Sequence, residues 1–383
     1  MKVERVVVRH VRVPLRAKFS TAETERAESD SIIVEVVLED GTFGFGEGVP
    51  REYLTAETPR TCFDFLRRSA ANLRGTTFAD FAEAVESAGE LPFGDDPLRP
   101  QCAARAALEI ALLDAAGQCF HVPLYRLVEF LPDIEPVVRQ RKEVRYGVVL
   151  SAGSGRLKAF TCRLYGFRDA KLKVGLGVER DIEFVGRMRS WLGRKMDLRV
   201  DANGGWSLRD APRVLRKLHE LGVSCVEQPV RPQEQMQLAE MRSKDWPPVM
   251  LDESLVSERD AQLAIDAKLC QAFNLRVSKN GGLLPVMGLA ALAVTNHIGI
   301  QLGCHPGETG ILSAAGRAIA CSVDRFLYLE GSYDRHLLKR NIVREDVTFG
   351  LGGRARRLEG SGLGVTVSRA DLAALTVETL DTE

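Results

Sequence analysis

The chain reads as an α/β protein, a (β/α)7–8 barrel of the TIM type with an α+β capping domain formed by the N-terminal region and the C-terminal tail. From about residue 144, short apolar runs alternate with segments of helical spacing, and such βα alternation implies a parallel sheet with right-handed crossovers. Three of the runs end in a carboxylate: Asp201 after LRV, Glu227 after VSCV and Asp252 after VML. These acids are 26 and 25 residues apart, close to the roughly 30 residues per strand-and-helix unit of a barrel of about 250 residues. The first fifty residues instead alternate apolar with charged positions, as antiparallel strands do.

In chain order, VERVVVRHVRVPL, SDSIIVEVVLEDG and TFGFGEGVP form a meander, with Glu39-Asp40-Gly41 as the second turn. A polar stretch, 18–28, separates the first two strands, and a loop of that length in a compact domain is often functional. Helical spacing follows at 58–73, 78–88 and 101–118; the last is Ala-rich with few charges and is expected to be buried. Residues 1–130 therefore make the cap. The barrel, 140–331, has eight expected strands at 144–150, 170–174, 197–201, 223–227, 248–251, 272–276, 298–303 and 326–330. Residues 332–383 lose the alternation, are rich in Gly and Arg, include an apparent strand at 364–368, and return to the cap.

Lys plus Arg and Asp plus Glu number 52 each, so net charge points to neither nucleic acid nor an anionic membrane as partner. A small carboxylate substrate is expected, and a homo-oligomer. Eight cysteines without a CxxC pair fit the reducing cytoplasm. No apolar run reaches the ~18 residues of a membrane span, and no secretion signal is evident.

Acids at the carboxyl ends of neighbouring barrel strands point to the face where such barrels place their active sites. Asp201, Glu227 and Asp252 supply oxygen ligands that suit Mg2+, whereas a zinc site would want His or Cys. One unit earlier, Lys171-Leu172-Lys173 turns two amines the same way along a strand. A lysine crowded by a metal ion and a second ammonium is expected to have a lowered pKa.

The strings Lys171-Leu172-Lys173, Asp201-Ala202-Asn203, Glu227-Gln228-Pro229, Asp252-Glu253-Ser254 and Lys279-Asn280-Gly281-Gly282 resemble the enolase superfamily, specifically its muconate lactonizing enzyme (muconate cycloisomerase) subgroup. Gly44-Phe45-Gly46-Glu47 resembles the subgroup's GxGE string in the cap, so the resemblance spans essentially the whole chain. It implies Mg2+ held by Asp201, Glu227 and Asp252 and a reaction begun by taking the proton α to a substrate carboxylate, with Lys173 as the base and Lys171 assisting electrostatically. Such a proton is weakly acidic, so its removal needs a base of matched pKa and positive charge for the enolate. The lysine that the subgroup carries on the sixth strand falls on Arg276. Arginine stays protonated and is a poor proton acceptor, but its fork suits a carboxylate. Lys279 is no easy substitute, lying on the other strand parity and beyond the strand end.

His305 aligns roughly with a catalytic histidine of branches resembling mandelate racemase, and Glu308 with a glutamate near the substrate carboxylate. Asn203 and the cap loops 18–24 and 51–57, carrying Lys18, Phe19, Arg51 and Tyr53, are the further substrate contacts expected. The leading expectation is a cycloisomerase or other isomerase, or a syn-eliminating dehydratase, working from the Lys173 face. The alternatives are a racemase or epimerase of amino-acid derivatives or dipeptides, and a metal-binding protein that has lost catalysis.

Overall fold

Alternation at the N-terminus produces two long paired strands, β1 (Val3–Ser20) and β2 (Glu25–Leu38), with Val8 opposite Val34. The computed structural model describes residues 1–20, 25–96 and 100–381. Pairing continues out to Ser20 opposite Glu25, so most of the stretch expected as a loop is strand. Arg16, Ala17, Ala27 and Glu28 are exposed there, and a ribbon without a buried face carries no period-two pattern to read. Residues 21–24 lie outside the described residues, as do the side chains of Lys18 and Phe19.

Strand β3 (Phe43–Gly48) pairs with β2, and the helices α1 (Glu52–Thr55), α2 (Pro59–Leu73), α3 (Phe81–Gly89) and α4 (Cys102–Cys119) follow. Gly44, Gly46 and Gly48 share one face of β3, and α4 lies directly against them. A Cβ at these positions would sit 2.1 Å from Ala115 N, 2.0 Å from Ala107 O and 1.8 Å from Ala103 O. Alternate glycines on the strand meet alanines every fourth residue on the helix, and only that combination permits the contact.

The barrel comprises β4 (Glu143–Arg145), β5 (Val148–Leu150), α5 (Arg156–Tyr165), β6 (Asp169–Lys173), α6 (Val178–Leu192), β7 (Asp197–Asp201), α7 (Ala211–Glu220), β8 (Cys225–Glu227), α8 (Gln235–Glu240), β9 (Val249–Leu251), α9 (Glu258–Asp266), β10 (Ala272–Leu275), α10 (Leu283–Thr295), β11 (Gly299–Leu302), α11 (Gly310–Ser322) and β12 (Phe326–Leu329). The eight strands β5 to β12 form one parallel sheet in sequence order. Gly147 N–H donates to Leu329 O at 2.9 Å, joining the first strand's start to the last strand. Outward residues such as Leu172, Leu198 and Val200 pack with Phe184, Val185 and Leu215 of the helices. Inward positions toward the carboxyl ends of the strands are mostly polar and charged, in place of the branched aliphatic layers usual in such barrels, while Cys225, Met250 and Ala272 form a small apolar cluster with Tyr328.

After β12 come α12 (Asp334–Leu337), β13 (Arg354–Arg356), α13 (Arg369–Leu375) and β14 (Thr376–Asp381). Strand β13 pairs with β4, and β14 pairs antiparallel with β1, completing the cap sheet β14-β1-β2-β3. The strand expected at 364–368 is a single bridge, Val343 to Val367. The chain turns at Gly360, Gly362 and Gly364, each at positive φ, and forms its next strand at Thr376. Among the described residues no helix is long and apolar enough to cross a membrane.

Candidate active site

Parallel register sets the acids side by side. Lys173 on β6 lies opposite Asp201 on β7, which lies opposite Glu227 on β8. Glu227 is paired with Met250, and Asp252 lies two residues further, one strand over, with the same facing. All three acids are at most 2% exposed. Two turns hold them there. Asn203 (φ 45°) and Gln228 (φ 38°) adopt left-handed backbone just after β7 and β8, a conformation costly for most side chains and frequent at functional sites. Gln228 Oε1 accepts from Asp252 N and Ser254 N, both at 3.1 Å, and so shapes the loop that presents Asp252.

Each acid is clasped by a cation. Lys173 Nζ lies 2.5 Å from Asp201 Oδ2 and donates to Asn203 Oδ1 at 3.1 Å. Asn203 Nδ2 in turn donates to Glu253 Oε1 at 2.9 Å. Lys171 Nζ sits 2.8 Å from Glu330 Oε2, 3.1 Å from Glu227 Oε2 and 3.4 Å from Asp201 Oδ2. Arg276 Nη2 contacts Asp252 Oδ2 and lies 3.6 Å from Glu227 Oε1. Lys279 donates to Asp252 Oδ1 and Asp252 O at 2.9 Å and to Asn274 O at 2.7 Å. Deeper in the barrel, Arg199 joins Asp169 and Glu330.

Burial and these pairings compete. Burial would raise Asp252, but Arg276 and Lys279 outweigh it and hold the carboxyl below its usual range. Glu227 goes the other way, raised by burial and then by the Asp201 charge, with Lys171 offsetting only part. Glu253 is raised to about 8 by burial and the charges of Asp252 and Asp201. The lowered pKa expected for Lys173 is not found: burial pulls it down, but Asp201 and Glu227 more than compensate and it is raised. The expectation presupposed a metal ion on Asp201, whereas here the ammonium is drawn up by that carboxylate, which it shares with Lys171.

Opposite Lys173 stand Arg276 and His305. Arg276 is buried, with Nη1 donating to Cys304 O at 3.1 Å. His305, 2% exposed, has no partner at either ring nitrogen. Burial and then the charges of Arg276, Arg51 and Lys279 push its pKa well below the usual value, so it is neutral. Glu308 accepts from His305 N at 2.9 Å, its own pKa raised by burial. His305, Glu308, Cys304 and Glu330 line a small cavity with Tyr146.

Of the cap residues, Tyr53 on α1 is exposed. Arg51 is buried instead of facing an open mouth, because its guanidinium bonds Pro50 O, Asp30 O, Ser29 Oγ and Pro306 O and so ties the cap to the loop after β11. Glu47 makes a similar tie, accepting from Thr309 N, Thr309 Oγ1 and Leu312 N at the start of α11. Sequence reasoning missed Glu253, Asn274, Gln301 and Glu330, and it set Lys279 aside. The parity rule for Lys279 presumes extended backbone. After β10 the chain turns back, with Asn280 N bonded to Arg276 O and Gly281 and Gly282 at positive φ, and Lys279 swings under Asp252.

The donor chemistry fits a hard divalent cation: three buried carboxylates from adjacent strands, with Asn274 Oδ1, Gln301 Oε1 and Glu253 Oε2 buried nearby without partners. In the arrangement present, no three acids, histidines or cysteines among the described residues converge as a ready metal cage. Ammonium and guanidinium groups occupy the carboxylate oxygens, and a divalent ion requires them to open.

Residues 157–371 match the family described as enolase C-terminal domain-like, and residues 3–128 match the mandelate racemase / muconate lactonizing enzyme N-terminal domain. The L-Lys-D/L-Arg epimerase of Methylococcus capsulatus is 30% identical over 379 residues, covering 95% of this chain and 99% of the relative. The crystal structure of N-succinyl Arg/Lys racemase from Bacillus cereus superposes with a TM-score of 0.88 at 26% identity, covering 100% of both chains. A dipeptide epimerase from Enterococcus faecalis, complexed with Mg and the dipeptide L-Leu-L-Tyr, gives 0.81 at 26% identity, covering 96% of this chain and 100% of that one.

Proposed function

Since the chain belongs to the mandelate racemase / muconate lactonizing enzyme family of the enolase superfamily, we propose that it is a Mg2+-dependent isomerase. It removes and returns the proton on the carbon beside the carboxylate of a small N-acylated amino acid or dipeptide. One observation carries the assignment of the base. Lys171 and Lys279 are sealed, their side chains 2% and 0% exposed, whereas Lys173 is 26% exposed and reaches the strand-end mouth beside the acids. Asp201, Glu227 and Asp252 are the residues that would hold Mg2+, which when bound supplies positive charge to the enolate oxygens. Lys173 takes the α-proton, and Asn203 holds its amine in place. Lys171, fixed by Glu330 and Glu227, keeps a positive charge beneath the substrate's carboxylate.

Inversion needs a proton carrier on the opposite face. His305 is the candidate for that part, because its two free ring nitrogens lie among cations whose effect an anionic substrate would cancel; it is as enclosed as Lys171, and the substrate must reach it through the cavity it lines with Glu308 and Tyr146. The epimerase and racemase activities named for the relatives support this reading over the cycloisomerisation and elimination that lead the sequence analysis. The test is chiral chromatography of N-acylamino acids and dipeptides incubated with the protein and Mg2+. Inversion at the α-carbon is expected; products of ring formation or water loss, with no inverted substrate, would contradict it.

A second reading, chemistry from one face only, is favoured by Arg276. Its guanidinium stands where the subgroup's second lysine falls, and burial is outweighed by Asp252 and Glu227, which keep it charged. The same chromatograms distinguish the two.

A further inference from the structure

We propose that Arg276 is a latch on the acid cluster: in the metal-free protein its guanidinium takes the place of the divalent cation, and the ion's arrival drives it off Asp252 toward the substrate's carboxylate. The proposal rests on Asp201, Glu227 and Asp252 being the metal-holding acids. Arg276 follows directly on β10, is buried, and contacts Asp252 Oδ2 with Glu227 Oε1 3.6 Å away. It therefore bridges two of the three acids. Arg276 Nε, also buried, has no partner. Leaving a buried donor unpartnered is costly, and a carboxylate gripping the fork through two parallel bonds would remove that cost.

The neighbouring cations are fixed differently. Lys279 is held by two backbone carbonyls as well as Asp252 Oδ1. Lys171 is shared among Glu330, Glu227 and Asp201, and Arg199 lies deeper between Asp169 and Glu330. On the Asp252 side, Arg276 is thus the cation whose other anchor is a single carbonyl, Cys304 O at 3.1 Å. A divalent ion and a guanidinium cannot share Asp252 Oδ2, because like charges at contact in a buried site repel strongly. Arg276 yields, and its fork becomes available to an anion at the mouth. Free metal is then bound weakly, and metal and anionic substrate favour each other's binding.

Calorimetric titration with Mg2+ alone tests the latch. Arg276→Met and Arg276→Gln are expected to bind Mg2+ roughly tenfold more tightly than wild type, while Glu227→Gln, lacking a ligand, binds more weakly. Equal or weaker binding by both Arg276 variants, with Glu227→Gln still impaired, overturns the latch and leaves the metal site standing. Wild-type affinity in Glu227→Gln overturns both. A crystal structure of the wild-type protein with Mg2+ gives an answer that does not depend on variants folding. A guanidinium withdrawn from Asp252 supports the latch, and one still on Asp252 beside the ion overturns it.

Discussion

Lys279 shows how much a single side chain can hold at this site. Its ammonium is fully enclosed and satisfies Asp252 Oδ1, Asp252 O and Asn274 O at once. Burial pulls its pKa down further than Asp252 pulls it up, yet removing it would leave a buried carboxylate and two carbonyls without that donor. Breaking a buried pair by deleting one partner costs about 3–5 kcal/mol. Lys279→Met is therefore expected to lower unfolding free energy by about that amount in urea denaturation, with a loss below about 1 kcal/mol contradicting the assignment. Residues of this kind set the limit of what the sequence reveals. Asp201, Glu227 and Asp252 are legible because strand register repeats at a fixed interval and brings them side by side. Glu253 and Lys279 are not, because turns bring them to the cluster; Glu330 ends the last expected strand as the three acids end theirs, but lies too far from Asp252 along the chain to share their interval.

Among the elements, α4 is the one most tightly specified, by alanines that meet the β3 glycines and by an acid at its first turn. Glu57, in the segment between α1 and α2, accepts from Ala103 N at 2.9 Å and Ala104 N at 3.1 Å. Burial nevertheless dominates and raises its pKa from 4.5 to about 7. A carboxyl with a raised folded-state pKa binds more protons folded than unfolded between those two values. Its contribution is therefore complete below about pH 4.5 and lost as pH rises through about 7. Wild type is expected to lose on the order of 2 kcal/mol between pH 5 and pH 8 relative to Glu57→Gln, read as a steeper fall in Tm. Parallel pH profiles for the two proteins would contradict this. Element order is largely legible in the sequence: seven of the eight expected barrel strands overlap observed ones, while the first, 144–150, divides into β4, which pairs with β13, and β5, which opens the barrel sheet. The exceptions lie where burial gives no pattern: the exposed ribbon at the ends of β1 and β2, and the half-exposed edge strand β14.

At the scale of the whole molecule, the cap and the barrel mouth form one unit. Arg51 reaches Pro306 O and Glu47 reaches Thr309, so the cap sheet is bonded to the loop after β11 that carries His305 and Glu308. Strand β14 returns the chain to the cap, and β1 and β2 extend together beyond the residues that pack on α4. On the proposed function, a substrate would meet Tyr53 from the cap and Lys173, Arg276 and His305 from the barrel. The proposed function turns on removal of an α-proton by Lys173. The most direct measurement is proton NMR in D2O, with Mg2+ and the best N-acylamino acid or dipeptide substrate. Wild type is expected to wash deuterium into the α-position, with Lys173→Ala slower by about 10²–10⁴-fold. Exchange at the wild-type rate in Lys173→Ala would contradict the account.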